Sequence, residues 1–283
     1  MAPGGLDERQ VFWRHPGLAG LGLLKARFTH HRYALHTHPT YVVALVTAGC
    51  ERLRVGRRQV VAPAGHLILV NPEECHDGEP GAAGGWAYRT LYPSTQLITD
   101  VAHELGEGRL PLFTHPVVED RQTAQAFAAA HRDAEDAADA ITAEASMLSA
   151  LRLLLLRHAD PLYPGRENTK GQGARDRVAA YASLIECWLA GGAITLAALA
   201  EAVGVTRFQV VRDVKRETGL TPGAFVRTLR LRLAARLIED GEALAEAAAA
   251  AGFADQSHLT RAFRAVHGVT PKAFQRSLVP GGR

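Results

Sequence analysis

The period of the apolar positions changes along this chain and divides it. Between Leu21 and Tyr92 apolar residues come in short β-type runs: YVVALVTAG (41–49), RLRVG (52–56), HLILVN (66–71) and WAYRTLY (86–92), each bounded by Gly, Pro or Asn. Several short strands at close spacing predict a small all-β sandwich or barrel over 21–93. From Ser94 the period becomes helical, with helices predicted over 95–105, 119–138 and 141–158. The last repeats Ile141, Ala145, Leu148, Leu151 and Leu155 on one face. Its end, LRLLLLRHA, is apolar on more than one face, so it needs a second surface, either the barrel and its neighbour helix or another subunit. Residues 94–159 are therefore read as a helical, dimerising segment. Residues 1–20, with several Gly and Pro, read as an N-terminal arm anchored by Phe12 and Trp13. DPLYPGRENTKGQGA (160–174) has no apolar period and is the clearest linker. A helix over 176–189 then opens the last segment, 175–283.

That segment contains one helix-turn-helix unit written twice. LAALAEAVGVTRFQVVRDVKRETGLTPGAF (196–225) returns as LAEAAAAAGFADQSHLTRAFRAVHGVTPKAF (244–274). Gly204 matches Gly252 at an offset of 48, whereas Arg212 and Arg261, Gly219 and Gly268, Pro222 and Pro271, and Phe225 and Phe274 match at 49. A short Ala/Leu helix, a Gly turn and a second helix carrying Arg make the usual major-groove reading device. Thr206 and Asp255 are placed to cap the two reading helices, and Thr221-Pro222 and Thr270-Pro271 mark further helix starts. The expected fold class is α+β: a β-barrel followed by helices, then an all-α C-terminal domain with two helix-turn-helix motifs.

Charge agrees with this division. From Ala174 onward there are 15 Lys and Arg against 10 Asp and Glu, while the remainder is slightly acidic within an overall net charge of +3. Excess positive charge in the duplicated half suits phosphate contact, although many inert helical domains match it. Cys50, Cys75 and Cys187 are odd in number and far apart, which argues against a disulfide framework or a zinc ribbon and for a reducing, cytoplasmic setting. No signal peptide or bilayer-spanning run is evident, so a soluble protein with no membrane partner is expected.

On the first reading helix Val210 and Val214 lie four apart and face inward, leaving Phe208, Val211, Arg212 and Lys215 on the other side. On the second, Leu259 and Phe263 face inward, and Gln256, Ser257, His258, Arg261 and Arg264 face outward. The Arg fork matches the O6/N7 edge of guanine, and Gln pairs with adenine. A single such unit is as often a solvated face of an ordinary core helix. The duplication and paired caps favour DNA reading.

On these residues the last ~105 positions resemble the DNA-binding domain of the AraC/XylS family of bacterial transcription regulators, most closely in GFADQSHLTRAFRAVHGVTPKAF. The resemblance implies base contacts from Phe208, Val211 and Arg212 in the first unit and from Gln256, Ser257, His258 and Arg261 in the second. Val211 stands where a polar residue is common, and Val214 where the second unit has the aromatic Phe263.

HTHPTYVVALVTAG (36–49) and APAGHLILVNPEECH (62–76) resemble the two halves of a cupin motif, as found in the sensor domains of the same family. His36 and His38 are two apart, hence on one face of a strand, and the second half-motif brings His76 towards them. Three His suit a divalent metal, but the acidic ligand that a catalytic cupin carries a few residues after its His pair is absent across Thr40, Tyr41, Val42, Val43 and Ala44. The preferred reading is a pocket for a small organic effector lined by His36, His38, Tyr41, His76, Trp86, Tyr88 and Arg89, with Arg89 available to pair an effector carboxylate. Plain hydrogen-bonded histidines come second and a metal third.

The chain thus reads as an effector-responsive, sequence-specific transcriptional regulator, a homodimer that binds duplex DNA without a cofactor and contacts RNA polymerase if it activates. The competing readings are a cupin metalloenzyme with an added helical domain, and a DNA-binding protein whose N-terminal half only dimerises.

Overall fold

The computed structural model describes residues 9–106, 110–136, 140–160, 172–189 and 194–278. By contacts these form two compact units, with the main divide along the chain between Tyr163 and Pro164.

The N-terminal unit is built on β1 (Arg9–Arg14), β2 (Leu21–Phe28), β3 (Tyr33–His36), β4 (Val42–Val55), β5 (Arg58–Pro63), β6 (Leu67–Val70), β7 (His76–Pro80) and β8 (Trp86–Pro93). Helix α1 (Thr95–Glu104) follows, then the short strands β9 (Leu112–Phe113) and β10 (Val117–Val118), α2 (Arg121–Asp136), α3 (Ala140–His158) and β11 (Ala159–Asp160). The main sheet runs β1-β2-β8-β4-β6-β10; β5 and β7 also pair with β4, and β3 pairs with β7, giving the cupin-like barrel. Strand β11 pairs separately with β9.

The two runs expected at 41–49 and 52–56 are one 14-residue strand, β4. Its first half pairs with β6 and β8 and its second with β5 and β7, across an irregularity between Val46 and Ala48. Gly49 lies at this bend with φ +70, and a Cβ there would meet the Gly85 carbonyl oxygen at 2.1 Å. Such a bulge bends a strand from one sheet into another. The polar stretch Thr47–Ala48–Gly49 read as a strand end because it is exposed at the bend.

One face of the sheet, including Leu21, Leu23, Val43, Leu67, Leu69 and Leu91, packs against Ile98, Val101, Phe127, Met147, Leu151 and Leu155 of the helices. Ser94 caps α1 by accepting from the Leu97 amide at 3.2 Å. Buried Asp120 joins the start of α2 to the end of α3: it accepts from Thr123 Oγ1 at 2.7 Å, Arg157 Nε at 2.5 Å and His158 Nε2 at 2.8 Å. The Arg157 hydrogen bond, above all, holds this carboxyl well below the usual carboxylate range against the cost of burial.

Three expectations are corrected here. Residues 9–14 of the supposed arm are a paired strand with Trp13 opposite Leu23, and Trp13 is buried in the core because its strand lies along β2. The leucines assigned to a dimer face are already covered: Leu151, Leu154 and Leu155 are 1%, 2% and 4% exposed against the chain's own sheet and helices. The side of α3 left outward carries Ile141, Ala145, Arg152 and Leu156. The barrel also recruits β10, from beyond α1, onto β6. Most of the expected linker, 161–171, lies outside the described residues.

The second unit is all helical: α4 (Gln172–Trp188), α5 (Leu196–Val203), α6 (Arg207–Thr218), α7 (Pro222–Glu239), α8 (Leu244–Ala250), α9 (Gln256–His267) and α10 (Pro271–Ser277). Helices α5–α6 and α8–α9 are the two helix-turn-helix pairs, and α7 touches α6, α8 and α9. Val210, Val214, Leu259 and Phe263 are all buried, as the spacing requires. Thr206, Thr221 and Asp255 cap their helices through the amides of Gln209, Ala224 and His258. The change of offset from 48 to 49 falls in the turn. Helix α6 starts three residues after Gly204, whereas α9 starts four after Gly252.

Candidate functional site

Helices α6 and α9 present the expected reading residues to solvent. Phe208, Val211, Arg212 and Lys215 on α6 are all exposed, and so are Gln256, Ser257, His258 and Arg261 on α9. Phe208 is 82% exposed, a large apolar surface cost for a ring with no partner in the core.

The two reading faces are supported differently. On α6 a chain of hydrogen bonds starts in the core: Arg177 of α4 donates to both oxygens of Asp213, at 2.7 and 3.1 Å. Gln209 Nε2 donates to the same carboxylate at 2.7 Å, and Arg212 Nη2 donates to Gln209 Oε1 at 2.5 Å. Burial pushes the Asp213 carboxyl up, but its Arg177 and Gln209 donors outweigh that and leave it below the ordinary range. Arg212 is thereby oriented from inside the domain. On α9 the positions matching Gln209 and Asp213 at the same offset are His258 and Ala262, which cannot build that chain. His258 instead sets its ring edge-on to Phe253 at 5.2 Å. Lys215 Nζ donates to the Gly219 carbonyl at 2.8 Å, which ties it to the C-terminal end of its helix.

In the barrel, strand alternation decides which predicted residues meet. Trp86, Tyr88, Thr90 and Tyr92 share the inner face of β8, while Arg89 and Leu91 point to the helices. On the inner face Trp86 stacks on Tyr88 at 6.1 Å, and Phe28 contacts both rings. The hydroxyls of Tyr33 and Tyr88 hydrogen-bond to each other. His38 lies 5.2 Å from His76 and 5.5 Å from Tyr92, ring centre to ring centre.

His36, His38 and His76 each bring a ligand nitrogen within 4.8 Å of the others, and no carboxylate joins them among the described residues. The carbonyls of Ala34 and Glu74 lie 2.6 and 2.8 Å from Nδ1 of His36 and His76. With Nδ1–H donating to the carbonyl, Nε2 is the nitrogen that keeps a lone pair. The trio therefore fits either hydrogen bonds to an organic ligand or a three-imidazole metal site with an open fourth position.

Two expected lining residues are elsewhere. Arg89 donates to His131 Nδ1 at 2.8 Å and to Glu135 Oε2 at 2.7 Å, both on α2. Burial and then the Arg89 charge push His131 down to about 4, so it stays neutral and can accept that bond. Tyr41 is fully buried in the sheet–helix core and donates to the Pro111 carbonyl at 2.6 Å. A cleft of about 290 Å³ between the β4–β5 hairpin and residues 112–116 contains none of the predicted effector residues.

Reading the sequence missed the most unusual inner group. The carboxyl of Glu51, a residue 6% exposed, has no hydrogen bond or ion pair among the described residues. Burial, reinforced by the Asp77 charge, raises its carboxyl to about 8. Trp86 Nε1 and Thr90 Oγ1, on residues 1% exposed, also have no hydrogen-bond partner among the described residues. The signal for Glu51 was its alternation with Leu53 and Val55, hidden by placing a strand start at Arg52.

Comparison with known proteins agrees with this geometry. Residues 18–151 match the AraC-like ligand binding domain, and residues 199–277 match a helix-turn-helix domain. The chain is a DNA-binding transcriptional regulator with an N-terminal ligand-binding domain. An AraC-like ligand-binding domain followed by a helix-turn-helix domain is the organisation of AraC-family regulators. The uncharacterized HTH-type transcriptional regulator YbfI of Bacillus subtilis is 25% identical over 229 residues, covering 81% of this chain and 82% of that protein. The regulatory protein Ada of Salmonella typhimurium is 32% identical over 111 residues, 39% of this chain and 31% of that one. An apo ToxT variant from Vibrio cholerae superposes with a TM-score of 0.58 over 93% of this chain and 99% of its own, at 11% identity, and shares the fold. No helix of the described residues is long and apolar enough to cross a membrane.

The buried Glu51 has a consequence for stability. Its folded value of about 8 lies above the 4.5 of the exposed group. The stability that its neutral form contributes is therefore complete below pH 4.5 and is lost as pH rises through about 8. The groups facing it are Asp77, Tyr33, Tyr88 and Tyr92, with burial keeping all three tyrosines protonated across this window. Glu51→Gln is expected to flatten the fall in Tm between about pH 5 and about pH 9. Thermal melts across that range check it, and equal slopes in the two proteins would contradict the assignment.

Proposed function

We propose that this regulator reads two successive major-groove segments of duplex DNA with α6 and α9, and that a small organic effector bound on the inner face of its barrel controls that activity. The observation that carries the first half is the pair of capped helices with Phe208, Val211, Arg212, Lys215, Gln256, Ser257, His258 and Arg261 all exposed. The second half is supported by the converging His36, His38 and His76 and by the unpaired polar atoms of Trp86 and Thr90 on the inner face of β8. A ToxT from Vibrio cholerae has been solved with an unsaturated fatty acid bound, which supports an organic effector in this architecture. The protein acts in the cytoplasm as a regulator rather than as an enzyme, and it contacts RNA polymerase where it activates. Control requires that effector and DNA prefer the same one of two states.

The three-imidazole cluster favours a second reading of the same chamber, as a metal centre. One tightly held iron, manganese or zinc per chain, lost in His36→Ala, would establish it by elemental analysis of the purified protein.

Arg261→Ala is expected to cost about 1–3 kcal/mol at one base position and relax specificity there. Arg212→Ala should do the same at another position, while Lys215→Ala, if that side chain meets phosphate, weakens all sequences alike. Titrations on matched and mismatched duplexes decide this, and an Arg261→Ala protein with unchanged site preference would refute the reading.

The homodimer is proposed through the outward side of α3. Ile141 is 80% and Leu156 61% exposed, four turns apart on one stripe. Leu156→Glu should convert the protein from dimer to monomer in sedimentation runs without lowering its Tm. A monomeric unmutated protein would rule the contact out.

A further inference from the structure

The charged groups around the barrel are sorted by side. Among the described residues Lys25 and Arg89 pair with Glu135, Arg32 and Arg52 with Glu79, and Arg54 with Asp77. The inner face keeps a carboxyl, Glu51, with which no Lys or Arg pairs among the described residues; its bases are the imidazoles of His36, His38 and His76. Glu51 is buried there with Tyr33 beside it, and a Cβ added at Gly78 would meet Glu51 Oε1 at 2.3 Å. The rings of Phe28, Tyr33, Trp86 and Tyr88 form one contiguous group, with centroids 5.3–6.1 Å apart between Phe28 and the other three.

We propose that this inner face, bounded by Phe28, Tyr33, Trp86, Tyr88 and the Glu51 carboxyl, is a receptor for an organic cation, an amine or quaternary ammonium effector, and not for a carboxylate. The proposal rests on the effector reading above and names its chemistry. Aromatic faces carry negative quadrupole charge and attract cations, most strongly when both are desolvated. A buried carboxyl without a partner is costly when ionised. Burial and Asp77 hold Glu51 largely neutral near physiological pH, and a cation seated beside it supplies the missing counter-charge. A carboxylate effector would meet the reverse situation. It would lie against Glu51 and Asp77, while Arg89, the base that the sequence offered it, is committed to α2 on the opposite face of β8.

The test uses the full chain and quaternary ammonium ions from tetramethylammonium through choline to benzyltrimethylammonium. The controls are the uncharged dimethylbutanol isostere of choline and the corresponding dimethylbutanoate. Titration calorimetry should show at least one ammonium ion binding roughly tenfold or more tightly than the uncharged isostere. Dimethylbutanoate should bind more weakly than either. Glu51→Gln, close to isosteric, should cut ammonium affinity by roughly tenfold and leave the isostere unchanged. Tyr88→Phe, which keeps the ring, should retain most of the affinity and guards against a folding defect.

The proposal is overturned by a preference for the carboxylate, by equal binding of charged and uncharged probes, by indifference to Glu51→Gln, or by no binding of any ammonium ion at millimolar concentration. DNA affinity is measured in parallel with each probe and with a long-chain fatty acid. A fatty acid that binds and changes DNA affinity would defeat the cation assignment and leave effector control standing. An ammonium ion that binds through Glu51 without changing DNA affinity would do the opposite.

Discussion

The two-residue alternation of β8 is the constraint on which the N-terminal unit depends. This strand lies between β2 and β4, so both its edges are paired, and the helices cover one of its faces while the barrel's own aromatic rings cover the other. Its even positions, Trp86, Tyr88, Thr90 and Tyr92, are forced inward, and Arg89 and Leu91 are forced towards the helices. A one-residue slip would put the guanidinium among the aromatic rings and a tryptophan against α2. Leu91 belongs to the sheet–helix core, which fixes the register through burial. Arg89 reinforces it through His131 and Glu135. The packing that stabilises the sheet therefore also determines which chemistry faces the barrel.

This explains how much of the effector region could be read from the residues. The two-residue spacing of His36 and His38 and the second half-motif located the three histidines, and the alternation of WAYRTLY places Trp86 and Tyr88 together. The same alternation separates Arg89 from them, but electrostatic complementarity to a carboxylate outweighed it in the reading. Tyr41 was misplaced because it precedes β4 and its side chain follows the core contacts of Phe113 and Pro111, which are remote in sequence. Glu51 was missed because a bulge joins two apparent strands into one. Past such a bend, the inward set cannot be read by simple counting from the first half. The apolar richness of LRLLLLRHA correctly announced two covered sides on α3, but α1, α2 and the sheet of the same chain cover Leu151 and Leu155. Sequence counts apolar faces without saying which surface meets them.

The helical unit was more legible because its signals are local. Caps, Gly turns and inward pairs at spacings of four depend on neighbours within a turn or two, and a duplicated pattern states them twice. What it did not reveal was the long-range support of the reading face. Arg177 is 36 residues from Asp213, and only the fold brings them together. That pair, with Gln209, holds Arg212 in place before any DNA arrives, which reduces the side-chain ordering left to be done on binding. At the equivalent place α9 has Ala262, and a turn longer by one residue precedes it. Although the two units repeat one pattern, the first thus presents an arginine held through Gln209, and the second presents Gln256 and Ser257 without such a chain, next to a His258 set edge-on to Phe253. Preorganised donors discriminate sharply and adapt little; mobile ones fit several edges at a greater entropic cost. On the proposed reading of DNA, copies with the same backbone divide the work, α6 with its held arginine on a demanding base step and α9 on a more tolerant neighbour.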